Sequence, residues 1–203
     1  MLELNLRKIK DKIAGRANLL AVSKGRSADE IAELYALGQR DFGENYALEM
    51  KEKQHVLSKR CSDIRWHFIG QIQTNKARII ASSFMVHSVS SLKHAQVLAR
   101  FVVDGKKLPI LIQINFDKAI HRGGIAPENL SKLKQEIKSI PNLELRGLMT
   151  VLPLHGVVTD YFAQMRDLRG ELPELSMGMS ADFESALAYE STWIRIGRAL
   201  FQK

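Results

Sequence analysis

Two hydrophobic rhythms alternate along this chain. Leu2, Leu6, Ile9 and Ile13 recur at three- to four-residue spacing, which predicts an amphipathic helix over residues 2–15. The apolar run Leu19-Leu20-Ala21-Val22 then predicts a buried strand over residues 19–23. Ser27, with Glu30 three residues on, forms a capping box. The helix it opens carries Ile31, Leu34, Tyr35 and Leu37 and closes at Gly38. Further strands are predicted at 39–42, 65–70, 84–89, 109–115, 143–149, 172–176 and 193–197. Helices are predicted to follow them: one through about Lys53, one from Thr74 or Asn75 to Ala81, then 90–103, 127–140, 160–170 and 181–188. Pro127 suits the first turn of its helix, after a loop over residues 116–124.

Eight strands alternating with helices fit a doubly wound open sheet or a closed (β/α)8 barrel. No G-x-G-x-x-G follows a strand, which weakens the dinucleotide-binding version of the open sheet. The reading adopted is a single-domain α/β protein over residues 1–203, a (β/α)8 TIM barrel with an extra N-terminal helix. Only six residues follow Gly197, so no full helix can follow strand eight. Helix 2–15 is expected to cover that gap.

Composition changes this picture little. Neither a bilayer-spanning apolar run nor a basic-then-apolar leader is present, and Cys61 is the only cysteine. A cytoplasmic protein without disulfides is expected. The net charge is +8 and uneven: residues 1–110 hold 19 Lys/Arg against 11 Asp/Glu, whereas residues 111–203 hold 11 of each. A basic half can serve a nucleic acid or an anionic ligand. However, the run from Arg7 to Lys12 alternates with apolar positions like the wet face of a helix, and no aromatic-interleaved RNA motif accompanies it.

Candidate chemistry gathers where strands end, because barrel active sites lie at the carboxyl ends of the strands. Lys24 ends strand one. A lone lysine there is ordinarily a strand reaching water. Closure makes strands one and eight neighbours, which brings Lys24 toward Arg195–Gly197. Alternation puts Leu20, Val22 and Lys24 on the inner face of strand one, and Trp193, Arg195 and Gly197 on that of strand eight. An arginine flanked by Ile194 and Ile196 needs an anionic or hydrogen-bond-accepting partner, and a salt bridge to a barrel carboxylate is the plain alternative to a ligand. The small residues of Ser176-Met177-Gly178-Met179-Ser180, with Gly197-Arg198, suit a phosphate cup; Ser180 is equally a natural helix N-cap. Asn45 faces the rim after strand two, with helix capping as its alternative role. His67 and His87 could reach the barrel mouth, but neither has a carboxylate at a familiar ligand spacing, so no metal is expected.

Taken together, A-V-S-K at 21–24, F-G-E-N-Y at 42–46, W-H-F-I-G at 66–70 with Gln71 and T-N-K at 74–76, G-L-M-T at 147–150, S-M-G-M-S at 176–180 and R-I-G at 195–197 resemble the YggS/PROSC family of pyridoxal phosphate homeostasis proteins, whose fold is the alanine racemase N-terminal barrel. The resemblance covers nearly the whole chain. It implies that Lys24 is the Schiff-base lysine for pyridoxal 5′-phosphate (PLP) and that Asn45 lines the pocket. It also implies that Met149 lies beside the ring, that Met179, Ser180, Gly197 and Arg198 belong to the phosphate end, and that Arg195 faces the pyridine nitrogen.

The residue chemistry agrees with those roles. A free lysine has a pKa of about 10.4 and is a poor nucleophile near neutrality; burial and Arg195 are expected to activate Lys24. An arginine leaves the pyridine nitrogen unprotonated and the cofactor a weak electron sink. The family usually carries a small hydroxyl residue where Arg198 stands. Segment 115–124 and the stretch between Thr150 and Tyr161 also depart from its pattern. Alanine racemase adds a tyrosine from a second, β-rich domain, and this chain ends at Lys203. The resulting expectation is a non-catalytic monomer that binds, stores or delivers PLP to PLP-dependent apoenzymes. A single-domain PLP enzyme such as a weak racemase is the alternative, and a nucleic-acid-binding protein ranks below both.

Overall fold

The computed structural model describes residues 1–117, 123–153 and 155–202. Eight parallel strands close into a barrel in chain order. They are β1 Asn18–Val22, β2 Asp41–Glu44, β3 Arg65–Phe68, β4 Met85–Val89, β5 Leu108–Ile114, β6 Leu143–Thr150, β7 Glu174–Ser176 and β8 Trp193–Ile196. Closure pairs β1 with β8, placing Leu20 opposite Arg195 and Ala21 opposite Ile196. The helices are α1 Leu2–Ile13, α2 Ala28–Ala36, α3 Ala47–Leu57, α4 Ala77–Ile80, α5 Leu92–Ala99, α6 Leu130–Lys138, α7 Val158–Arg169, α8 Phe183–Ala188 and α9 Arg198–Phe201.

The predicted N-terminal helix does cover the gap after β8. Leu6, Ile9 and Ile13 are buried, and Asn5 Nδ2 donates to the carbonyls of Leu200 (3.2 Å) and Gln202 (3.0 Å). α9 is a single turn, so α1 supplies the apolar cover that a full eighth helix would otherwise provide. The capping box at Ser27 and Glu30 forms as predicted.

Some boundaries move for local reasons. β2 starts at Asp41 rather than residue 39, because the Gln39 N–H still bonds back to the Leu34 carbonyl of α2 (3.0 Å), while its buried side chain donates to the carbonyls of Leu19 (2.7 Å) and Asp41 (2.8 Å). A 3-10 turn at Thr74–Lys76 precedes a short α4, and α5 ends at Ala99. α8 starts at Phe183, after a turn in which the Met179 carbonyl accepts the Asp182 (3.0 Å) and Phe183 (2.9 Å) N–H groups and the Asp182 carboxylate accepts the Met179 N–H (2.6 Å). The loop predicted at 116–124 lies partly outside the described residues, as does the stretch after Thr150.

Alternation along the strands sorts side chains into two cores. Ala21, Phe42, Trp66, Phe68, Ile110, Ile112, Ile194 and Ile196 pack outward beneath the helices. Leu20, Met85, Leu111, Met149 and Trp193 pack inside the barrel, which is therefore filled rather than hollow.

Candidate functional site at the carboxyl end of the barrel

Lys24 sits two residues beyond Val22, on a turn held from below. The Ser23 N–H extends the ladder to the Gly43 carbonyl (3.0 Å), and the Arg26 N–H closes the turn on the Ser23 carbonyl (3.0 Å). Gly25 has φ of 69°, a conformation that costs glycine little. Beneath the turn lies a buried ion cluster. Lys53 Nζ donates to the Ser23 carbonyl (2.7 Å), Glu44 Oε1 (2.7 Å) and Glu49 Oε1 (2.6 Å). Ser23 Oγ also donates to Glu44 Oε1 (2.7 Å), and the Gly25 N–H donates to Glu49 Oε1 (2.5 Å). Burial pushes the Glu44 carboxyl up despite the Lys53 and Ser23 hydrogen bonds. The Lys24 side chain is exposed at the rim, so the burial expected to activate it is absent here.

Arg195 is buried on the inner face of β8. Its guanidinium donates to Ser176 Oγ (2.9 Å) and to the Thr150 carbonyl (2.6 Å). The expected alternative, a salt bridge to a barrel carboxylate, is not formed among the described residues, because the inward positions facing it on β6 and β7 are the uncharged Met149 and Ser176. Burial pushes Arg195 down to about 10, with the distant Asp182 charge a partial offset. The group therefore stays charged near neutrality. A buried cation with only neutral acceptors is the arrangement an electron-rich ligand atom completes.

His67 and His87 do not reach the mouth. Both are fully buried inside the barrel, linked by a 2.9 Å contact between His67 Nδ1 and His87 Nε2. His87 Nδ1 meets Ser176 Oγ (3.0 Å), and His67 Nε2 meets Asp41 Oδ1 (3.1 Å). Among the described residues no group of three His, Cys, Asp or Glu side chains is arranged to hold a metal ion.

The loop after β7 is tightly packed. Gly178 has φ of 92°, and a Cβ there would lie 2.7 Å from the Ala186 Cβ and 3.0 Å from the Phe183 Cα. Ser180 is not a helix N-cap: Asp182 takes that position, and Ser180 Oγ instead accepts the Ala199 N–H (3.4 Å). This contact ties the loop after β7 to the loop after β8. Gly197 lies against β1, since a Cβ there would sit 3.3 Å from the Val22 carbonyl oxygen. The Arg198 side chain is exposed at the start of α9, and Met179 is 40% exposed.

Asn45 does not cap α3, whose N-cap is Tyr46. Its Oδ1 is buried without a hydrogen-bond partner. Gly70, the last residue of the W-H-F-I-G stretch, has no Cβ because the Asn45 carbonyl occupies that space. Met149 lies in the inner core opposite Ser176. The structure thus brings Lys24, Gly197 and Arg195 to one seam and ties Ser180 to it, with Met149 adjoining through Ser176. Among the described residues no hydrogen bond or ion pair links Asn45, Met179 or Arg198 to Lys24. The sequence alone does not mark Ser176, Thr150 or the histidine pair as partners of Arg195; their inward parity with Trp193 and Arg195 is the one signal it carries.

These features suit a ligand with a carbonyl carbon, a ring acceptor and a phosphate: a rim amine, a buried donor without an anion, and two glycine-containing turns tied together after β7 and β8. The family model of the alanine racemase N-terminal domain matches residues 1–203. The pyridoxal phosphate homeostasis protein of Pseudomonas aeruginosa is 45% identical over 192 residues, covering 90% of this chain and 83% of that protein. That of Escherichia coli K12 is 36% identical over 220 residues, covering 97% and 94%. PipY of Synechococcus elongatus, solved with PLP bound, has a TM-score of 0.89 at 34% identity, covering 100% of both chains. Alanine racemase of Corynebacterium glutamicum shares the fold, with a TM-score of 0.76 at 18% identity, covering 100% of this chain and 60% of that one. The chain belongs to the alanine racemase N-terminal domain family and, within it, to the pyridoxal phosphate homeostasis proteins.

Proposed function

We propose that this chain is a PLP carrier: it captures the cofactor on Lys24, holds it in the β1–β8 seam and releases it to PLP-dependent apoenzymes, as a monomer with no catalytic cycle of its own. The observation that supports this reading is the β1–β8 pairing: β1, which runs on to the rim lysine Lys24, lies next to β8, which carries a buried arginine whose hydrogen bonds go to neutral acceptors. When bound, PLP supplies an aldehyde that a primary amine captures reversibly. Lys24 provides that amine. Gly178, Ser180 and Gly197 shape the phosphate end, where Met179 and Arg198 also stand at the rim. Asn45 and Met149 border the ring. Arg195 would donate a hydrogen bond toward the ring nitrogen and is too weak an acid to transfer its proton to it. The ring then draws electron density weakly, which suits holding a cofactor better than stabilising a carbanion.

The test is a visible absorption spectrum after PLP is added. A yellow band is expected, trapped by borohydride on the peptide containing Lys24 and absent from Lys24→Ala. An unchanged band in that variant refutes the assignment. Incubation of the loaded protein with amino acids in deuterated water should give no incorporation; incorporation that depends on Lys24 would make the chain an enzyme.

A further inference from the structure

Five buried side chains connect the seam to the opposite rim of the barrel. From Arg195, hydrogen bonds run through Ser176 Oγ (2.9 Å), His87 (3.0 Å), His67 (2.9 Å) and Asp41 (3.1 Å). Asp41 lies at the amino end of β2, where Arg65 grips it with two bonds of 2.6 Å. Trp193 flanks the chain, its ring centroid 4.8 Å from that of His67 and 6.0 Å from that of His87.

The direction of this chain is determined by its ends. Burial raises the Asp41 carboxyl, but the bonds from Arg65 and His67 outweigh it and hold the group below its ordinary value, so near neutrality it only accepts. His67 Nε2 must therefore carry the proton. Burial holds both histidines below their ordinary value, His87 well below, so each is neutral with one donor and one acceptor. His67 Nδ1 is then the acceptor, His87 Nε2 the donor and His87 Nδ1 the acceptor. The single Ser176 hydroxyl proton is committed to His87. What faces Arg195 is a serine oxygen that can only accept.

We propose that Asp41, His67, His87 and Ser176 are positioning residues for Arg195: a hydrogen-bond chain of one polarity, anchored at the far rim, that holds the guanidinium in place to donate to the cofactor ring. This rests on the reading of Arg195 as the partner of the PLP ring. Reversal of the chain would turn the Ser176 hydroxyl proton toward the guanidinium, setting two donors against each other. Asp41→Asn permits that reversal, because an amide can donate to His67. His87→Leu severs the chain. His87→Gln preserves its direction, since the amide oxygen accepts from Ser176 while the amide N–H donates to His67.

Two measurements test the proposal. Long-range 15N–1H correlation spectra of the PLP-free wild type read the tautomers directly. Both His67 and His87 are expected as Nε2–H forms at neutral pH, and an Nδ1–H form of either overturns the chain. PLP titration then compares the variants after each is checked for folding by near-UV circular dichroism. His87→Leu and Asp41→Asn should weaken PLP binding about tenfold and shift the visible band, while His87→Gln stays within about twofold of wild type. A purely structural role would lower the melting temperature and leave the band of the folded, loaded protein unmoved. Wild-type affinity and band in both His87→Leu and Asp41→Asn overturn the proposal. If the wild type itself forms no band, the carrier reading falls, and the tautomer spectra still decide whether the chain has one polarity.

Discussion

Replacing Lys53 by methionine should destabilise this protein far more than an ordinary lysine substitution. Lys53 is buried and donates to three oxygens beneath the turn that carries Lys24. Methionine fills a similar volume but leaves the fully buried Glu44 carboxylate with Ser23 Oγ as its one hydrogen-bond donor among the described residues. Removing one partner of a buried ion pair costs about 3–5 kcal/mol, because the remaining charge is uncompensated. At about 2–4 °C of Tm per kcal/mol for a chain of this length, a loss of about 3 kcal/mol lowers Tm by about 6–12 °C.

The deficit should depend on pH, with a definite sign. Burial already raises the Glu44 carboxyl above its usual value of 4.5, so the folded state binds its proton more tightly than the unfolded state does. Such a group favours folding increasingly as pH falls through its raised folded value toward 4.5. Loss of Lys53 raises it further, and the deficit of Lys53→Met should therefore shrink on acidification. Urea denaturation across pH 5–8 measures this. Adding Glu44→Gln to Lys53→Met removes the stranded charge and should recover stability. A deficit below about 1 kcal/mol, or no recovery in the double variant, would refute the claim that the ion pair holds this turn.

Deleting residues 1–15 removes the burial of Leu6, Ile9 and Ile13, at about 1.5–3 kcal/mol each, which approaches the whole stability of a typical domain. The truncated chain should aggregate and bind a hydrophobic dye, and a well-folded truncated protein would show that α1 does not close the barrel. Gly178→Ala forces a Cβ to within 2.7 Å of Ala186 at φ of 92° and should cost about 2 kcal/mol while weakening PLP binding; unchanged Tm and affinity would remove the tight loop from the argument. His67 and His87 are held below the ordinary value of 6.5 in the folded state, so the unfolded chain binds more protons there. Their contribution is complete above that pH and is lost as pH falls below it, by up to about 1.4 kcal/mol per pH unit for each histidine. His87→Gln should flatten this slope in denaturation curves between pH 5 and 7, and an unaltered slope would count against a neutral buried His87.

By itself, the sequence determined the order of elements, the count of eight strands and the inward face of β1 and β8. These follow from local periodicity: a residue's neighbours two or four positions away decide whether its side chain points inward or outward. The same local logic located the cap at Ser27 and marked Lys24 and the loop after β7 as candidates, and the ordered motifs pointed to the cofactor. Only the tertiary structure decided which polar groups inside the barrel meet. Arg195 lies opposite Leu20 across the seam but bonds to Ser176 on β7 and Thr150 on β6, and no spacing along the chain encodes that choice. His67 is 26 residues from Asp41 and His87 is 89 residues from Ser176, so their contacts depend on barrel closure and on the registers of β2, β3, β4 and β7. Ser180 illustrates the limit from the other side: its position before a predicted helix suggests a cap, but the Met179 carbonyl accepts the Asp182 and Phe183 N–H groups that a cap there would bond, and the serine instead joins two loops. Periodicity is a property of one segment, whereas the pairing of buried polar groups is a property of the closed sheet.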